Sequence, residues 1–299
     1  MRKILFWFED AWAFGAIHNS LAKELYKHDI YSNLLHWEYK VKPEEWKLLY
    51  DTYDLFVTKP DTAPILNSFG IPYEKMAVVA HGQWDYLVYK EKFGIDYYNK
   101  LYKFGAVSNI LKQKASEFGI PRVPDVMPLG VHFDFYYNKP STKLQSVGYG
   151  GAKQVSNFFG QEIKRGYLVE QIVKNHTPLT LIEHNNYTWM AMPSYYSNID
   201  SIVVSSIEEG AGLPSLEAAC AGRLIFSTPV GYFEEHGPNG GGIVLPIETQ
   251  SFAENLIKQL EFYYYNPDEY YKMCLSIQDY ARENYDWSKH IDKWIEFLI

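Results

Sequence analysis

Short apolar runs alternate with longer amphipathic stretches along this 299-residue chain. The short runs, such as residues 3–8 and 55–58, are rich in Leu, Ile, Val and Phe, which is typical of strands buried on both faces. The longer stretches, such as residues 16–28, repeat their apolar residues at helical spacing. Strands that alternate with helices form parallel sheets, because the chain must cross back over the sheet before each new strand begins. The pattern therefore predicts an α/β fold.

Two similar halves follow from the same pattern. The first half has predicted strands at 3–8, 32–36, 55–58, 76–80, 104–107 and 126–129, with helices at 16–28, 62–69 and 109–118. The second half has predicted strands at 146–148, 180–183, 201–205, 224–227 and 242–245, with helices at 166–175, 214–221, 249–266 and much of the tail. A polar stretch with a proline, residues 138–142, is predicted to link the halves. We therefore expect domains at residues 1–138 and 139–284.

Composition and charge limit the choice of function. A chain of 34.8 kDa with 47% hydrophobic residues can bury large cores, and its net charge of −8 makes nucleic acid an unlikely partner. The two cysteines, Cys220 and Cys274, are too few for a disulfide scaffold and fit a reducing compartment. The first apolar run ends at Glu9, too early for a signal peptide, and no later run is long enough to span a membrane. We expect a cytoplasmic protein.

The segment from Ser205 to Glu235 carries the clearest chemical signal. Glu209 and Glu217 are eight residues apart, and between them lie a Gly-Ala-Gly turn and Pro214, which suits the first turn of a helix. A strand, a tight glycine loop and the N–H groups of a helix start form a seat for a phosphate or a sugar hydroxyl. The glycines alone also fit an ordinary turn in any parallel sheet, so the two carboxylates carry the argument.

This segment closely resembles the E-x7-E signature of the retaining nucleotide-sugar glycosyltransferases of family 4. The match runs from Glu209 through Glu217 to Gly222, with Ala211 in place of an aromatic residue. The later run from Ser227 to Glu234 resembles another motif of the family, with Tyr232 in place of a second glycine. The resemblance implies an enzyme that transfers a hexose-type sugar from a UDP- or GDP-sugar to a glycan, lipid-linked or other hydroxyl acceptor.

Residue roles follow from this resemblance. Glu209 is expected to be catalytic and to lie beside the transferred sugar, with the backbone of Gly210, Ala211, Gly212 and Leu213 binding the sugar hydroxyls. Glu217 is expected to bind the ribose hydroxyls, because an ionised carboxylate accepts from two adjacent hydroxyls. Residues 183–186, beginning with Glu183, are a further candidate for the nucleoside, although a turn rich in Asn needs no ligand.

The donor diphosphate needs cations, since negative charge grows on it as the bond to the sugar breaks. The family places an Arg and a Lys at the start of the second domain, and this chain has Lys153, Lys164 and Arg165 there. Gly15, at the start of the first helix, matches a family position near the diphosphate. His81, just past a predicted strand, resembles the family's active-site histidine. For each of them an ordinary structural role is the alternative.

The implied architecture is GT-B. It consists of two Rossmann-like parallel-sheet domains facing a cleft, an acceptor-side domain first and a nucleotide-sugar-binding domain second. Residues 285–299, which resemble the family's last motif, are expected to form a helix that crosses back to the first domain. The family's reaction retains the anomeric configuration of the sugar. The chain has no Asp-x-Asp segment, so we expect neither a metal nor another cofactor to be required.

Alternatives remain at this point. A non-catalytic nucleotide-sugar-binding module of the same fold would bind the donor without turnover. A dinucleotide-dependent oxidoreductase is suggested more weakly by Gly148-Tyr149-Gly150, which begins like a dinucleotide fingerprint but has Lys153 at the third glycine position. Residues 86–114 interleave Tyr and Phe with Lys, which on a helix would suit a peripheral contact with a membrane surface. Buried aromatic packing beneath solvated lysines is the more common meaning of such a pattern.

Overall fold

The computed structural model describes residues 2–9, 12–151, 153–156, 160–183 and 188–299. These residues divide into two compact units. The first unit runs to Gly130 and includes Trp287–Ile299, and the second is Val131–Asp286. The division falls at Gly130, whereas the sequence placed the domain boundary at residues 138 and 139.

The first unit is built on a six-stranded parallel sheet. Its strand order is β2-β1-β3-β4-β5-β6, formed by β1 (Arg2–Phe8), β2 (Ile30–His36), β3 (Leu55–Thr58), β4 (Met76–Ala80), β5 (Lys103–Ala106) and β6 (Asp125–Val126). All residues of β3 and β4 are buried, as expected for central strands covered by helices on both faces. The carboxyl ends of β1, β3 and β4 therefore meet at one edge of the sheet.

The helices of this unit follow the strands in the order that a parallel sheet requires. They are α1 (Trp12–Tyr26), α2 (Pro43–Thr52), α3 (Ala63–Ser68), α4 (Trp84–Leu87), α5 (Lys90–Phe93) and α6 (Asn109–Glu117). Of these, α2, α4 and α5 were not predicted from the sequence. The only buried residue of α2 is Trp46, so the apolar face that signals a helix is almost absent, and α2 begins with Pro43 and an acidic first turn instead.

The second unit is built on a five-stranded parallel sheet. Its strand order is β11-β10-β9-β7-β8, formed by β7 (Ser146–Tyr149), β8 (Thr180–Ile182), β9 (Ser201–Val204), β10 (Leu224–Ser227) and β11 (Ile243–Val244). Its helices are α7 (Phe133–Tyr136), α8 (Gly166–His176), α9 (Met192–Ser197), α10 (Leu213–Cys220), α11 (Phe233–His236), α12 (Thr249–Tyr265) and α13 (Pro267–Asn284). The two Rossmann-like sheets confirm the predicted fold class.

The end of the chain packs on the first unit. Here α14 (Ile291–Leu298) buries Trp294 and Phe297, and the indole Nε1 of Trp294 donates to the Pro128 carbonyl over 2.7 Å. Gly105 of β5 leaves room for this packing, because a Cβ atom there would lie 2.6 Å from the Met127 side chain and 3.1 Å from the Phe297 ring. The expectation that the last helix returns to the first domain is confirmed.

Residues 86–114 do not form one helix. They contain α4, α5, a 3-10 turn, β5 and the start of α6, and the side chains of Tyr97, Tyr98 and Phe104 are buried. Buried packing thus accounts for most of the aromatic residues. The single amphipathic helix that was considered for a membrane surface does not form in residues 86–114. No helix in the described part of the chain combines the length and the apolar character needed to cross a bilayer.

Candidate functional site

Most of the predicted site residues of the second unit meet where β7 and β9 end. The loop after β9 runs beside the segment that precedes α8, since the Ile207 N–H donates to the Ile163 carbonyl over 2.9 Å. The loop after β7 reaches the same segment, where the Gly166 N–H donates to the Lys153 carbonyl over 2.9 Å. A Cβ atom at Gly166 would lie 2.7 Å from the Lys153 backbone, so only glycine permits this approach. In parallel sheets, this edge is where ligands bind.

Lys164 and Glu209 form an ion pair in this place. The Lys164 ammonium donates to Oε1 of Glu209, and the Ser206 hydroxyl donates to the same oxygen over 2.6 Å. The side chains of the pair keep 19% and 15% of their exposure, so both are reachable from solvent. The structure therefore brings together a candidate diphosphate ligand and the candidate catalytic carboxylate. Ser206 is a third member of the cluster that the sequence analysis missed.

The glycine loop after Glu209 is held in place by its neighbours. Gly212 has φ 78°, a region that favours glycine, and it precedes the first residue of α10, Leu213. The Ala211 carbonyl accepts from the Tyr232 N–H over 2.9 Å, and a Cβ atom at Gly231 would lie 2.5 Å from that carbonyl oxygen. The loop after β10 thus braces the backbone of Gly210–Leu213 at the start of α10, where the first N–H groups have no helical partner.

Glu217 lies in the second turn of α10 and is buried. Its Oε1 accepts from the Tyr136 hydroxyl over 2.8 Å and its Oε2 from the Tyr196 hydroxyl over 2.7 Å. Burial raises the pKa of the Glu217 carboxyl to about 7, although both tyrosine hydrogen bonds favour the charged form. The two tyrosines were not found from the sequence. Each carboxylate oxygen already accepts one tyrosine hydroxyl and has a second lone pair left. A ribose hydroxyl could donate to that second lone pair only from a position next to the tyrosine hydroxyl.

Lys153 and Glu183 also contact each other. The Lys153 ammonium lies 2.7 Å from Oε1 of Glu183 and 3.1 Å from Oε2 of Glu170, and these hydrogen bonds raise the pKa of Lys153. Two residues predicted to bind different parts of the donor thus neutralise each other. Of the candidate turn that begins at Glu183, residues 184–186 lie outside the described part of the chain.

Arg165 has its guanidinium committed to the backbone. Its Nε donates to the Ser205 carbonyl over 2.6 Å and one terminal nitrogen donates to the Ile247 carbonyl over 2.7 Å, while the group stacks 4.9 Å above the Phe252 ring. Burial lowers the pKa of this guanidinium. The second terminal nitrogen, Nη2, is buried and makes no hydrogen bond to any described residue.

Gly15 and His81 belong to the first unit. Gly15 is buried within α1, and its carbonyl accepts from the Asn19 side chain over 2.8 Å. His81 follows β4, and its ring packs edge-on against Phe14 with 5.0 Å between centroids. Burial lowers the pKa of His81 well below its ordinary value, and the nearby Lys59 adds to this effect. His81 is therefore a neutral imidazole near pH 7.

A polar cluster beside His81 was missed by the sequence analysis. Lys59, directly after β3, lies 3.6 Å from Oδ2 of Asp61 and 4.0 Å from Oδ1 of Asp85. Oδ2 of Asp85 accepts from the N–H groups of His81 and Gly82 over 2.6 and 2.9 Å, which fixes the loop after β4. The sequence did contain a signal for this cluster, because Lys59 directly follows the buried strand β3 and Asp85 lies in the loop and helix that follow the buried strand β4.

The dinucleotide fingerprint does not match the structure. Gly148 lies inside β7, where a Cβ atom would be 2.3 Å from the Tyr195 hydroxyl, so this glycine serves packing rather than a phosphate turn. In addition, a fingerprint needs a helix directly after the strand, whereas β7 ends at Tyr149 and the next helix, α8, begins only at Gly166. Among the described residues, no group of three or more His, Cys, Asp or Glu side chains has the spacing of a metal site.

Comparison with known proteins gives consistent results. The family model for glycosyl transferases group 1 matches residues 105–261. No curated protein sequence matches the chain. Among solved structures, the sucrose-phosphate synthase of Thermosynechococcus elongatus is similar with a TM-score of 0.72 and 12% identity, covering 99% of this chain and 98% of that one. HepE of Anabaena in complex with UDP and glucose is similar with a TM-score of 0.70 and 16% identity, covering 100% and 99%.

A third similar structure is the catalytic domain of starch synthase IV from Arabidopsis thaliana, bound to ADP and acarbose. Its TM-score is 0.61 at 8% identity, and the match covers 100% of this chain and 98% of that one. At such low identities these similarities show a shared fold over the whole chain. The family match covers more than half of the chain, including the Lys164 and Glu209 pair.

Proposed function

Because the chain belongs to the glycosyl transferases of group 1, we propose that it is a retaining enzyme. It would transfer a hexose-type sugar from a UDP- or GDP-sugar to a hydroxyl group of a glycan, a lipid-linked sugar or another acceptor. The observation that carries the proposal is the convergence of Lys164, Glu209 and the Gly210–Gly212 loop at the ends of β7 and β9. The nucleotides named for HepE and for starch synthase IV support a nucleotide-sugar donor.

In this proposal Lys164 binds the donor diphosphate. The reaction forms a bond between the acceptor oxygen and the anomeric carbon and breaks the bond from that carbon to phosphate, so negative charge grows on the departing nucleotide. The lysine ammonium has three N–H donors, and it can bind a phosphate oxygen while it keeps Glu209 in place. Lys153 is the second candidate cation, but the donor would first have to draw it away from Glu183 and Glu170.

Glu209 is proposed to lie beside the transferred sugar, with the backbone of Gly210–Leu213 binding its hydroxyls. Glu217 and Glu183 are proposed for the nucleoside. For Glu217 this role requires that a ribose hydroxyl join or replace one of the tyrosine hydroxyls. Lys164 already supplies a positive charge for the diphosphate, so we propose that no metal is needed, and activity should persist in EDTA. The roles of Gly15 and His81 at the donor rest on the family resemblance.

The first experiment measures nucleotide binding. UDP or GDP should raise the melting temperature, since a ligand at one hundred times its Kd stabilises the folded state by about 2.7 kcal/mol. Lys164→Ala should weaken binding by roughly 10- to 100-fold, the value of a hydrogen bond to a charged group. Lys272→Ala is the matched control, because that lysine pairs with Glu269 on an exposed surface. If neither nucleotide changes the melting temperature, the proposed function is wrong.

A second measurement separates an enzyme from a binding module. Glu209→Gln keeps the size of the side chain and removes its charge, so nucleotide binding should change little while sugar transfer or donor hydrolysis is lost. Glu269→Gln, at an exposed ion pair, is the control. A wild-type protein that binds the donor and never releases the nucleotide, with any acceptor or with water, would be the non-catalytic module. NMR of the product would show whether the anomeric configuration is retained.

A further inference from the structure

Tyrosine hydroxyls cover both oxygens of the Glu217 carboxylate. Oε1 accepts from Tyr136 over 2.8 Å, and Oε2 accepts from Tyr196 over 2.7 Å. Glu217 and Tyr136 are each 5% exposed, and Tyr196 is 0% exposed. All three residues belong to the second unit. Because the carboxylate is enclosed in this way, a ribose reaches it only when one of its neighbours gives way.

Tyr196 is fixed in the core of the second unit. It lies in α9, where the neighbouring Tyr195 is also buried. The Tyr195 hydroxyl lies 3.3 Å from the carbonyl oxygens of Tyr149 in β7 and of Ile182 in β8, so α9 is held against the sheet. Displacement of Tyr196 would leave a cavity beside these strands, and a cavity in a core is costly.

Tyr136 belongs to a much smaller element. It is the last residue of α7, a helix of four residues that ends with a hydrogen bond from the Tyr137 N–H to the Phe133 carbonyl over 2.9 Å. The two residues next to Tyr136 in the chain, Phe135 and Tyr137, are 46% and 52% exposed. Segments with little helix of their own and exposed neighbours open at the lowest free energy. Tyr136 is therefore the neighbour of Glu217 that can give way.

A ribose hydroxyl is a chemical match for the tyrosine hydroxyl that it would replace. Each of them donates one O–H group to a carboxylate oxygen. The exchange keeps Oε1 of Glu217 hydrogen-bonded with and without the nucleotide, so it avoids the cost of a buried acceptor that has no partner. An ionised phosphate and the carbonyl groups of a base only accept hydrogen bonds, and they cannot replace Tyr136. The position thus suits a hydroxyl of the ribose.

We propose that Tyr136 occupies the position of a ribose hydroxyl in the nucleotide-free protein and releases Oε1 of Glu217 when the nucleotide binds. Tyr196 keeps its bond to Oε2 in both states and positions the carboxylate. This inference rests on the proposed function, since it requires a nucleotide donor. The nucleotide gains one hydrogen bond while the protein loses another, so Tyr136 lowers nucleotide affinity and favours release of the product nucleotide after transfer.

The test compares nucleotides with and without ribose hydroxyls by isothermal titration calorimetry of the full chain. The probes are UDP, GDP and the 2′,3′-dideoxy forms of both, at about pH 8, where Glu217 is mostly ionised. The measured quantity is the discrimination ratio, which is the Kd of the dideoxy form divided by the Kd of the ribonucleotide. Tyr136→Phe should raise this ratio roughly 3- to 10-fold, the value of one net hydrogen bond, because only the ribose can then donate to Oε1.

Two matched variants remove other tyrosine hydroxyls. Tyr196→Phe removes the second donor to Glu217, and Tyr137→Phe removes the hydroxyl of the exposed side chain next to Tyr136. Both should leave the discrimination ratio within about twofold of the wild-type value, because neither hydroxyl competes with the ribose for Oε1.

The Tyr136→Phe variant should fold. It keeps the ring that packs edge-on against Tyr196 with 6.0 Å between centroids, and circular dichroism checks the result. Tyr136→Met gives a second measurement, because methionine is flexible, apolar and unable to donate. It should raise the discrimination ratio as well.

The outcomes separate this inference from the proposed function. An unchanged or lower ratio in Tyr136→Phe would overturn the inference, since the ribose would then join Tyr136 at Oε1 or lie away from Glu217. An equal rise in Tyr196→Phe would also overturn it, because Tyr136 would have no special part. In both cases a chain that binds UDP or GDP keeps its proposed function. If neither nucleotide binds the wild type, the proposed function is wrong and the inference is wrong with it.

Discussion

Two glutamates of one motif lie in different environments. Glu209 is part of an ion pair that remains partly exposed, whereas Glu217 is buried and bonded to two tyrosine hydroxyls. A charged group that loses water without gaining a cation becomes easier to protonate, and this is why the pKa of Glu217 rises to about 7. The two carboxylates therefore have different partners and different exposure, although the motif treats them as a pair.

The buried carboxyl should make stability depend on pH. The pKa of Glu217 is about 7 in the folded protein and 4.5 for an ordinary glutamate, so between these values the folded state keeps a proton that the unfolded state has released. The free energy of unfolding should therefore fall as the pH rises from about 4.5 to about 7, by up to about 3 kcal/mol from this group. Urea unfolding of the wild type and of Glu217→Gln at about pH 5 and about pH 8 measures the difference.

The variant isolates this one group. Glutamine keeps the shape and does not titrate, while the other shifted groups, such as Asp85 and His18, are common to both proteins. The wild type should lose more stability than Glu217→Gln between the two pH values. An equal loss in both proteins would mean that Glu217 is ionised over the whole range.

Sequence reasoning reached the residues of the site better than their partners. It selected Lys164 and Glu209, which the structure places in contact, because both stand in recognisable motifs. It could not find Tyr136, which is 81 residues from Glu217, since tyrosines are common in this chain and no spacing rule links distant residues. It also could not show that Arg165 donates to the carbonyls of Ser205 and Ile247, because a sequence does not show where a guanidinium points.

At the scale of elements, glycines fix the approach of neighbouring loops. Gly231 has φ 56°, and a Cβ atom there would lie 2.5 Å from the Ala211 carbonyl oxygen. Gly70 also has a positive φ, 95°, but no atom lies within 4 Å of its Cβ position. A side chain at either position would be strained by the positive φ, but only at Gly231 would it also clash with neighbouring atoms.

This difference yields a prediction. Gly70→Ala should cost about 1 kcal/mol of stability through conformation alone. Gly231→Ala should cost more, because the backbone at Ala211 must move, and it should also weaken nucleotide binding at the adjacent Gly210–Leu213 loop. Chemical denaturation and nucleotide titration of both variants provide the measurements. Equal costs, with nucleotide binding unchanged, would show that the loop after β10 does not support the site.

The elements with the strongest hydrophobic signal were predicted best. The bounds of β3, β4 and β10 agree with the sequence prediction, because each is a short apolar run buried on both faces. Short helices such as α7 and α9 were not predicted, since fewer than two turns do not establish a helical period. These omissions affect the prediction of the site at one place, because α7 and α9 carry Tyr136 and Tyr196, which donate to Glu217.

At the scale of the whole molecule, the two units have separate cores and share one chain. The last thirteen residues belong to the core of the first unit, although they follow the second in sequence. Completion of the first unit thus requires the end of the chain, whereas Val131–Asp286 is continuous. The sequence predicted this return of the chain through the resemblance of its last motif and not through any hydrophobic period.

Removal of the largest side chain of α14 tests this organisation. Trp294 is 2% exposed and its indole donates to the Pro128 carbonyl, so Trp294→Ala should destabilise the first unit by about 3–5 kcal/mol. Hydrogen exchange should then become faster in β1 and β4 and stay unchanged in β9 and β10, because local stability follows the core to which a strand belongs. Tyr265→Ala, at a side chain that is 70% exposed, should change neither set. Faster exchange in all four strands by the same factor would show that both units unfold as one, and the end of the chain would then stabilise the whole protein.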